Sequence, residues 1–163
     1  MRITARYRFD ENTSEIMSFA KILVPYDASS YANHAYDEAL KIAEKFDSTI
    51  TVLTVLGRKF DQGEVASLER AIEIQDEAED AATKMLQDLQ GIAKEKGVGF
   101  SFQVVYNPSA SDGVVNFANS SCMDLIVMGS RGRSGITKAI LGSVASKVVE
   151  NADCAVLIIK RIP

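Results

Sequence analysis

The sequence predicts an α/β protein: five strands in a parallel sheet with helices on both faces. Three observations carry that prediction. Short apolar, β-branched runs alternate with longer stretches of helical period along nearly the whole chain. The strand runs are almost continuously apolar, as expected for strands buried on both faces. The intervening stretches are long enough for the crossover helices that parallel strands require.

The elements follow in order. Met1–Ile16 is rich in Arg and Glu without sustained periodicity, so residues 1–17 are expected to form a flexible N-terminal extension and residues 18–163 a single domain. Ala20–Tyr26 (AKILVPY) reads as a buried strand. Ser29–Phe46 places Ala32, Ala35, Tyr36, Ala39, Leu40, Ala43 and Phe46 at helical spacing, with Ser29 or Ser30 as the N-cap. Thr49–Leu56 (TITVLTVL) is a second strand, and Gly57–Gly63 a loop. Val65 to about Lys96 is one long helical pattern, with a break near Gln75 to be considered at that length, and Gly97–Gly99 ends it. Phe100–Tyr106 is the third strand. Pro108 suits the first turn of a helix through Val114, Val115 and Phe117. Met123–Met128 is the fourth strand, Gly142–Ala152 the last helix and Cys154–Lys160 the fifth strand. Two sheet orders remain open on this pattern, 2-1-3-4-5 and 3-2-1-4-5. In either, a ligand crevice is expected where the winding reverses, beyond the carboxyl ends of the strands.

Composition narrows the function. In 163 residues, 47% hydrophobic and 25% charged, a core large enough to fold without metal or disulfide staples is available. The formal net charge of −4 is the wrong sign for a general nucleic-acid binder. No stretch approaches the ~20 apolar residues of a membrane helix, and Met1–Asp10 has no apolar signal-peptide core. Cys122 and Cys154 form no metal spacing. With His34 as the one histidine, a His/Cys zinc site is not expected, and His34 reads as a surface or partly packed side chain of the first helix. A cytoplasmic setting with both thiols reduced is expected. The pattern from Glu64 to Lys96 holds nine acids and four bases and reads as a solvated outer face.

The chemistry is concentrated in Met128–Ser146 (MGSRGRSGITKAILGSVAS). Gly129 follows a strand directly, Gly132 and Gly135 come at three-residue steps, and Gly142-Ser143 opens a helix. A helix start supplies unpaired N–H donors and partial positive charge, and glycines would let a phosphate approach the backbone. From Leu125 to Val149 there is no Asp or Glu, but Arg131, Arg133, Lys138 and Lys147 are present, an anion-attracting field in an acidic chain. The P-loop, the dinucleotide fingerprint and the hydrolase elbow are all absent.

The spacing Gly129-x2-Gly132-x9-Gly142-Ser143 resembles the ATP-binding motif of the universal stress protein family. KILVPYDASSYANHAYDEAL (21–40) and the segment from Met128 to Lys160 resemble that family too, so that the likeness spans Phe19–Arg161. The resemblance implies the strand order 3-2-1-4-5 and an adenine nucleotide at the carboxyl ends of the first and fourth strands. It implies that Asp27 contacts the adenosine, with the Pro25 and Tyr26 backbone nearby, and that Val55 lines the adenine. Met128 and Gly129 would border the ribose, while Gly132, Gly142, Ser143 and Val144 would hold the phosphates. Arg131 stands where the family often has His and also has Arg. Cys154-Ala155 departs from the frequent Cys-Pro, away from the site. Mg²⁺ or Mn²⁺ would arrive with the nucleotide. In isolation Asp27 also reads as a helix cap.

The fifth strand, Ala155–Ile159, lies at an edge in that order and is undefended by charge, which predicts an isologous homodimer, as the resemblance does. The expected function is a nucleotide-dependent switch in stress response with at most slow ATP hydrolysis. No residue is an evident general base or arginine finger. The alternatives are a nucleotide-free interaction module of the same fold, a genuine ATPase or phosphoryl transferase, and a flavodoxin-like FMN protein.

Overall fold

The computed structural model describes residues 19–57, 68–132 and 141–160, and within 68–79 the backbone alone. The expected extension of residues 1–17, most of the loop after Gly57, and Arg133, Gly135 and Lys138 lie outside the described residues.

Strands β1 (Lys21–Pro25), β2 (Thr49–Leu56), β3 (Gly99–Tyr106), β4 (Leu125–Gly129) and β5 (Ala155–Ile159) alternate with helices α1 (Ser30–Phe46), α2 (Leu68–Glu95), α3 (Ala110–Ser120) and α4 (Ser143–Asn151). The sheet is wholly parallel, in the order β3-β2-β1-β4-β5. This decides between the two orders that the element pattern leaves open.

Strand alternation divides the core into two layers. Ile22 and Val24 of β1, Ile50 and Val52 of β2, and Leu125 and Val127 of β4 pack against Ala35, Tyr36, Ala39 and Leu40 of α1 and Leu86, Leu89 and Ala93 of α2. Leu23, Leu53, Ile126 and Met128 face the other way, onto Val114 and Ala118 of α3 and Ala145 and Val148 of α4. Tyr36 is fully buried, and its hydroxyl donates to the Leu89 carbonyl at 2.6 Å, tying α1 to α2. Burial, chiefly, with the Asp37 carboxylate beside it, pushes the Tyr36 phenol well above its ordinary pKa.

Local differences from the sequence reading have local causes. α2 is one continuous helix, without a break at Gln75. It stops at Gly97, whose φ of 69° lies in the left-handed region and lets the Val98 N–H reach back to the Ala93 carbonyl. Pro108 lies ahead of α3 rather than in its first turn, because Ser109 is the cap and its hydroxyl accepts from the Asp112 N–H. β4 starts at Leu125, not Met123. Cys122 sits in the preceding turn with φ 51°, and Cys122 and Cys154 are both free thiols. No described helix is long and apolar enough to cross a membrane.

Candidate functional site

Every helix follows a strand, so the helix N-termini gather at the carboxyl edge of the sheet. The chain leaves β1 toward α1 and β2 on one side, and leaves β4 toward α4 and β5 on the other. The β1–β4 pairing runs over Ile22–Leu125 and Leu23–Ile126 and stops before Pro25, which has no N–H to give. A crevice opens there, as expected at a reversal of winding.

The β1 side is built from Pro25 to Ala32. Tyr26 carries the sheet one residue further: its N–H donates to the Leu53 carbonyl at 2.8 Å, and its carbonyl accepts from Thr54 Oγ1 at 3.1 Å. Its phenol is buried and donates to Asn33 Oδ1. Burial, then the neighbouring Asp27 and Asp37 charges, raise its pKa. Ser29 is the cap of α1, accepting from the Ala32 N–H at 3.1 Å. Asp27 is therefore not the cap. Its Oδ1 accepts from the Ser29 N–H at 3.0 Å, a turn that fixes the carboxylate, with Ala28 at φ 63° between them.

The β4 side is built from Met128 to Gly132 and the start of α4. Ser130 donates its N–H to the Ile159 carbonyl at 2.9 Å, and its own carbonyl accepts from the Gly142 N–H at 2.8 Å. Those two bonds fix both ends of the β4–α4 connection. Gly142 is the N-cap of α4 and brings no side-chain cap bond, in contrast to the serine caps of α1 and α3. The first-turn N–H groups of α4 thus keep the donor character and partial positive charge of an uncapped helix start.

The three glycines are explained by protein packing, which differs from the reason the sequence suggests. A Cβ at Gly129 would stand 2.7 Å from Tyr31 Cβ and 2.9 Å from the Tyr31 carbonyl carbon and oxygen, so Gly129 lets the first turn of α1 press onto the end of β4. A Cβ at Gly132 would stand 2.8 Å from Asp27 Oδ2, which brings the two sides of the crevice together. A Cβ at Gly142 would stand 3.3 Å from the Ser130 carbonyl oxygen.

The result is a cavity of about 310 Å³, at the lower end of the roughly 300–1,000 Å³ usual for small-ligand clefts. Pro25, Tyr26, Asp27, Val55, Met128, Gly129, Arg131, Gly132, Gly142, Ser143 and Val144, all singled out in the sequence, line it together. Sequence reasoning missed Ala32, Leu53, Ala110, Val114 and Ala145, which complete its walls. It also missed Gly113 of α3, where a Cβ would stand 2.8 Å from Val55 Cγ1, so this glycine lets α3 close over Val55. Their helical or strand periodicity marks these residues as core, and nothing local marks them as facing a cleft. The apolar part of the lining is Leu53, Val55, Val114 and Met128, and the polar part is the Asp27 carboxylate, the Arg131 side chain and the start of α4. His34 is half-buried on α1 and is not in the lining. Among the described residues, no group of three or more His, Cys, Asp or Glu side chains is placed to hold a metal.

The profile of the universal stress protein family matches residues 18–160. The chain belongs to the universal stress protein family. A universal stress protein of Methanocaldococcus jannaschii is 33% identical over 143 residues, covering 88% of this chain and 83% of that protein. Universal stress protein YxiE of Bacillus subtilis is 34% identical over 150 residues, covering 87% and 99%. The solved structure of universal stress protein UspA from Lactobacillus plantarum superposes with a TM-score of 0.79 at 26% identity, over 86% of this chain and 97% of that one. At 20% identity, two more structures share the fold. One is a universal stress protein in complex with cAMP, with a TM-score of 0.66 over 88% and 98% of the two chains. The other is that of Archaeoglobus fulgidus in complex with dAMP, with a TM-score of 0.61 over 88% and 99%.

Proposed function

We propose that this universal stress protein binds an adenine nucleotide, ATP in the first place, in the cavity between β1 and β4, and that occupancy of the site switches its interactions during stress. The observation that carries this reading is the make-up of the cavity. An apolar set of side chains, one carboxylate and an uncapped helix start line the same 310 Å³. That is the polarity of a nucleotide, from apolar base through ribose to phosphate. Relatives of the same fold in complex with cAMP and dAMP support it.

In this reading Val55, Leu53, Val114 and Met128 pack on the adenine, with the Pro25 and Tyr26 backbone beside it. Tyr26 has little left to offer, since its N–H and one carbonyl lone pair are spent within the sheet. Asp27 accepts from the ribose hydroxyls, a placement that keeps a carboxylate away from the phosphates, and Met128 and Gly129 border the sugar. The N–H groups around Gly132, Gly142, Ser143 and Val144 take the phosphates. Mg²⁺ or Mn²⁺ is carried by the phosphates themselves, which suits a site with a single carboxylate in its lining. Among the described lining residues none is an evident base for water, which suits at most slow hydrolysis. We further propose an isologous homodimer through β5. Leu157 on this edge strand and Val149 on α4 are 38% and 49% exposed, apolar surface that a second copy would cover.

The test is direct. Protein purified without added nucleotide is denatured, and the released small molecules are identified by mass spectrometry. Stripped protein is then titrated with ATP by calorimetry, with and without Mg²⁺, beside Gly142→Val. The expected result is adenine nucleotide in the released fraction, or micromolar binding that Gly142→Val abolishes at a folding cost of about 1 kcal/mol. Absence of both ligand and binding in the wild type would refute the reading and point to an interaction module.

A further inference from the structure

The cavity lining holds one cation among the described residues, Arg131. One of its partners, Tyr31, stands outside that lining. Gly129 and Arg131 are two residues apart at the end of a strand, and the missing Cβ of Gly129 faces Tyr31 on the first turn of α1. The Arg131 side chain goes to the same residue. Its Nη1 donates to the Tyr31 hydroxyl at 3.2 Å, and its Cζ stands 5.9 Å from the Tyr31 ring centroid. Tyr31 itself is well anchored. Its Cβ and carbonyl lie where a Cβ on Gly129 would stand, and the bond of Ala32 to the Ser29 cap holds the turn that carries it.

On the reading that the cavity takes an adenine nucleotide, we propose that Tyr31 is a positioning residue for phosphate recognition. It holds the Arg131 guanidinium beside the phosphate end of the site and so sets how strongly the protein prefers a phosphorylated nucleotide to a bare nucleoside. The physical reason is preorganisation. An arginine side chain loses several rotatable bonds of freedom when it meets an anion, and here that loss is taken in advance by a hydrogen bond and a ring contact. A guanidinium has five N–H donors in a rigid fork, so engaging one of them on Tyr31 orients the rest.

The full-length protein is titrated with Mg·ATP and with adenosine in four forms: wild type, Tyr31→Phe, Arg131→Met and the double variant, with thermal melts as the folding control. Tyr31→Phe keeps the Cβ and backbone against Gly129 and removes only the hydroxyl. The expected result is a fall in the ATP-to-adenosine affinity ratio of about 3- to 10-fold in Tyr31→Phe. A larger fall is expected in Arg131→Met, with no further fall when the two are combined. An unchanged ratio in Tyr31→Phe overturns the proposal, as does a loss of the same factor in the Arg131→Met background. A wild type that binds neither ligand overturns the nucleotide reading and this inference with it, whereas a wild type that binds both with a Tyr31-independent ratio overturns this inference alone.

Discussion

Gly132→Ala separates binding from folding. The new Cβ would lie 2.8 Å from Asp27 Oδ2, whereas an ordinary contact begins at about 3.4 Å, so one partner must retreat by about 0.6 Å. The atom in the way is the end of a side chain, and Gly132 does not have a positive φ, so the fold has room to adapt. The gain from a stiffer unfolded chain, about 0.4–1 kcal/mol, offsets much of the cost. The melting temperature should therefore stay within about 3 °C of wild type. The carboxylate has no such latitude. Oδ1 is held by the Ser29 N–H at 3.0 Å, so displacement either breaks that turn or moves Oδ2 out of the cavity wall. A hydrogen bond to a charged group contributes about 1.5–3 kcal/mol, so nucleoside affinity should fall by roughly 10- to 100-fold. Adenosine calorimetry beside a thermal melt measures both quantities. A folded Gly132→Ala protein that binds adenosine as wild type does would refute the placement of Asp27 on the ribose.

Three further outcomes are expected. Gly129→Ala sets a Cβ against the Tyr31 backbone, which cannot swing aside, and should destabilise by about 1–3 kcal/mol; an unchanged urea midpoint would contradict the close α1–β4 packing. Cys122→Gly relieves a left-handed conformation (φ 51°) just beyond α3 and should raise stability by up to about 1 kcal/mol, with a lower melting temperature as the contrary result. The Tyr26 and Tyr36 phenols have folded pKa values above the ordinary value of about 10, so their contribution to stability is complete below pH 10 and is lost as the pH rises toward the folded values. Urea midpoints should hold level from about pH 7 to 9 and fall above 10, and Tyr36→Phe should flatten that fall, whereas an identical alkaline profile in Tyr36→Phe would exclude Tyr36 as the cause.

Much of this protein is legible in its sequence because the signals are local. A run as rich in β-branched residues as TITVLTVL reads as a strand, and the 3.6-residue period from Ser29 to Phe46 reads as one helix with one buried side. The bounds of β2, Thr49–Leu56, agree with that reading residue for residue. A cap is a local event, and the sequence narrows it to Ser29 or Ser30, of which the structure uses Ser29. Gly129, Gly132, Gly142 and Ser143 stand where a strand end, a run of glycines and a helix start adjoin in the chain, whereas Pro25, Tyr26, Asp27 and Val55 come from the family resemblance.

What the tertiary structure alone decided depends on distance between segments. Periodicity says that strands pair but not with which neighbour, so the order 3-2-1-4-5 needed the register, or the family likeness. The glycines show the same limit. In sequence, Gly129 and Gly132 read as openings for a phosphate, yet the space beside them is taken by Tyr31 and Asp27, about a hundred residues away along the chain. Ala110, Gly113 and Val114 look like ordinary core residues because a helix face turned to a cleft and one turned to a core have the same period. The pairing of Tyr31 with Arg131 has no trace in either segment, since it exists only once α1 is laid across the end of β4.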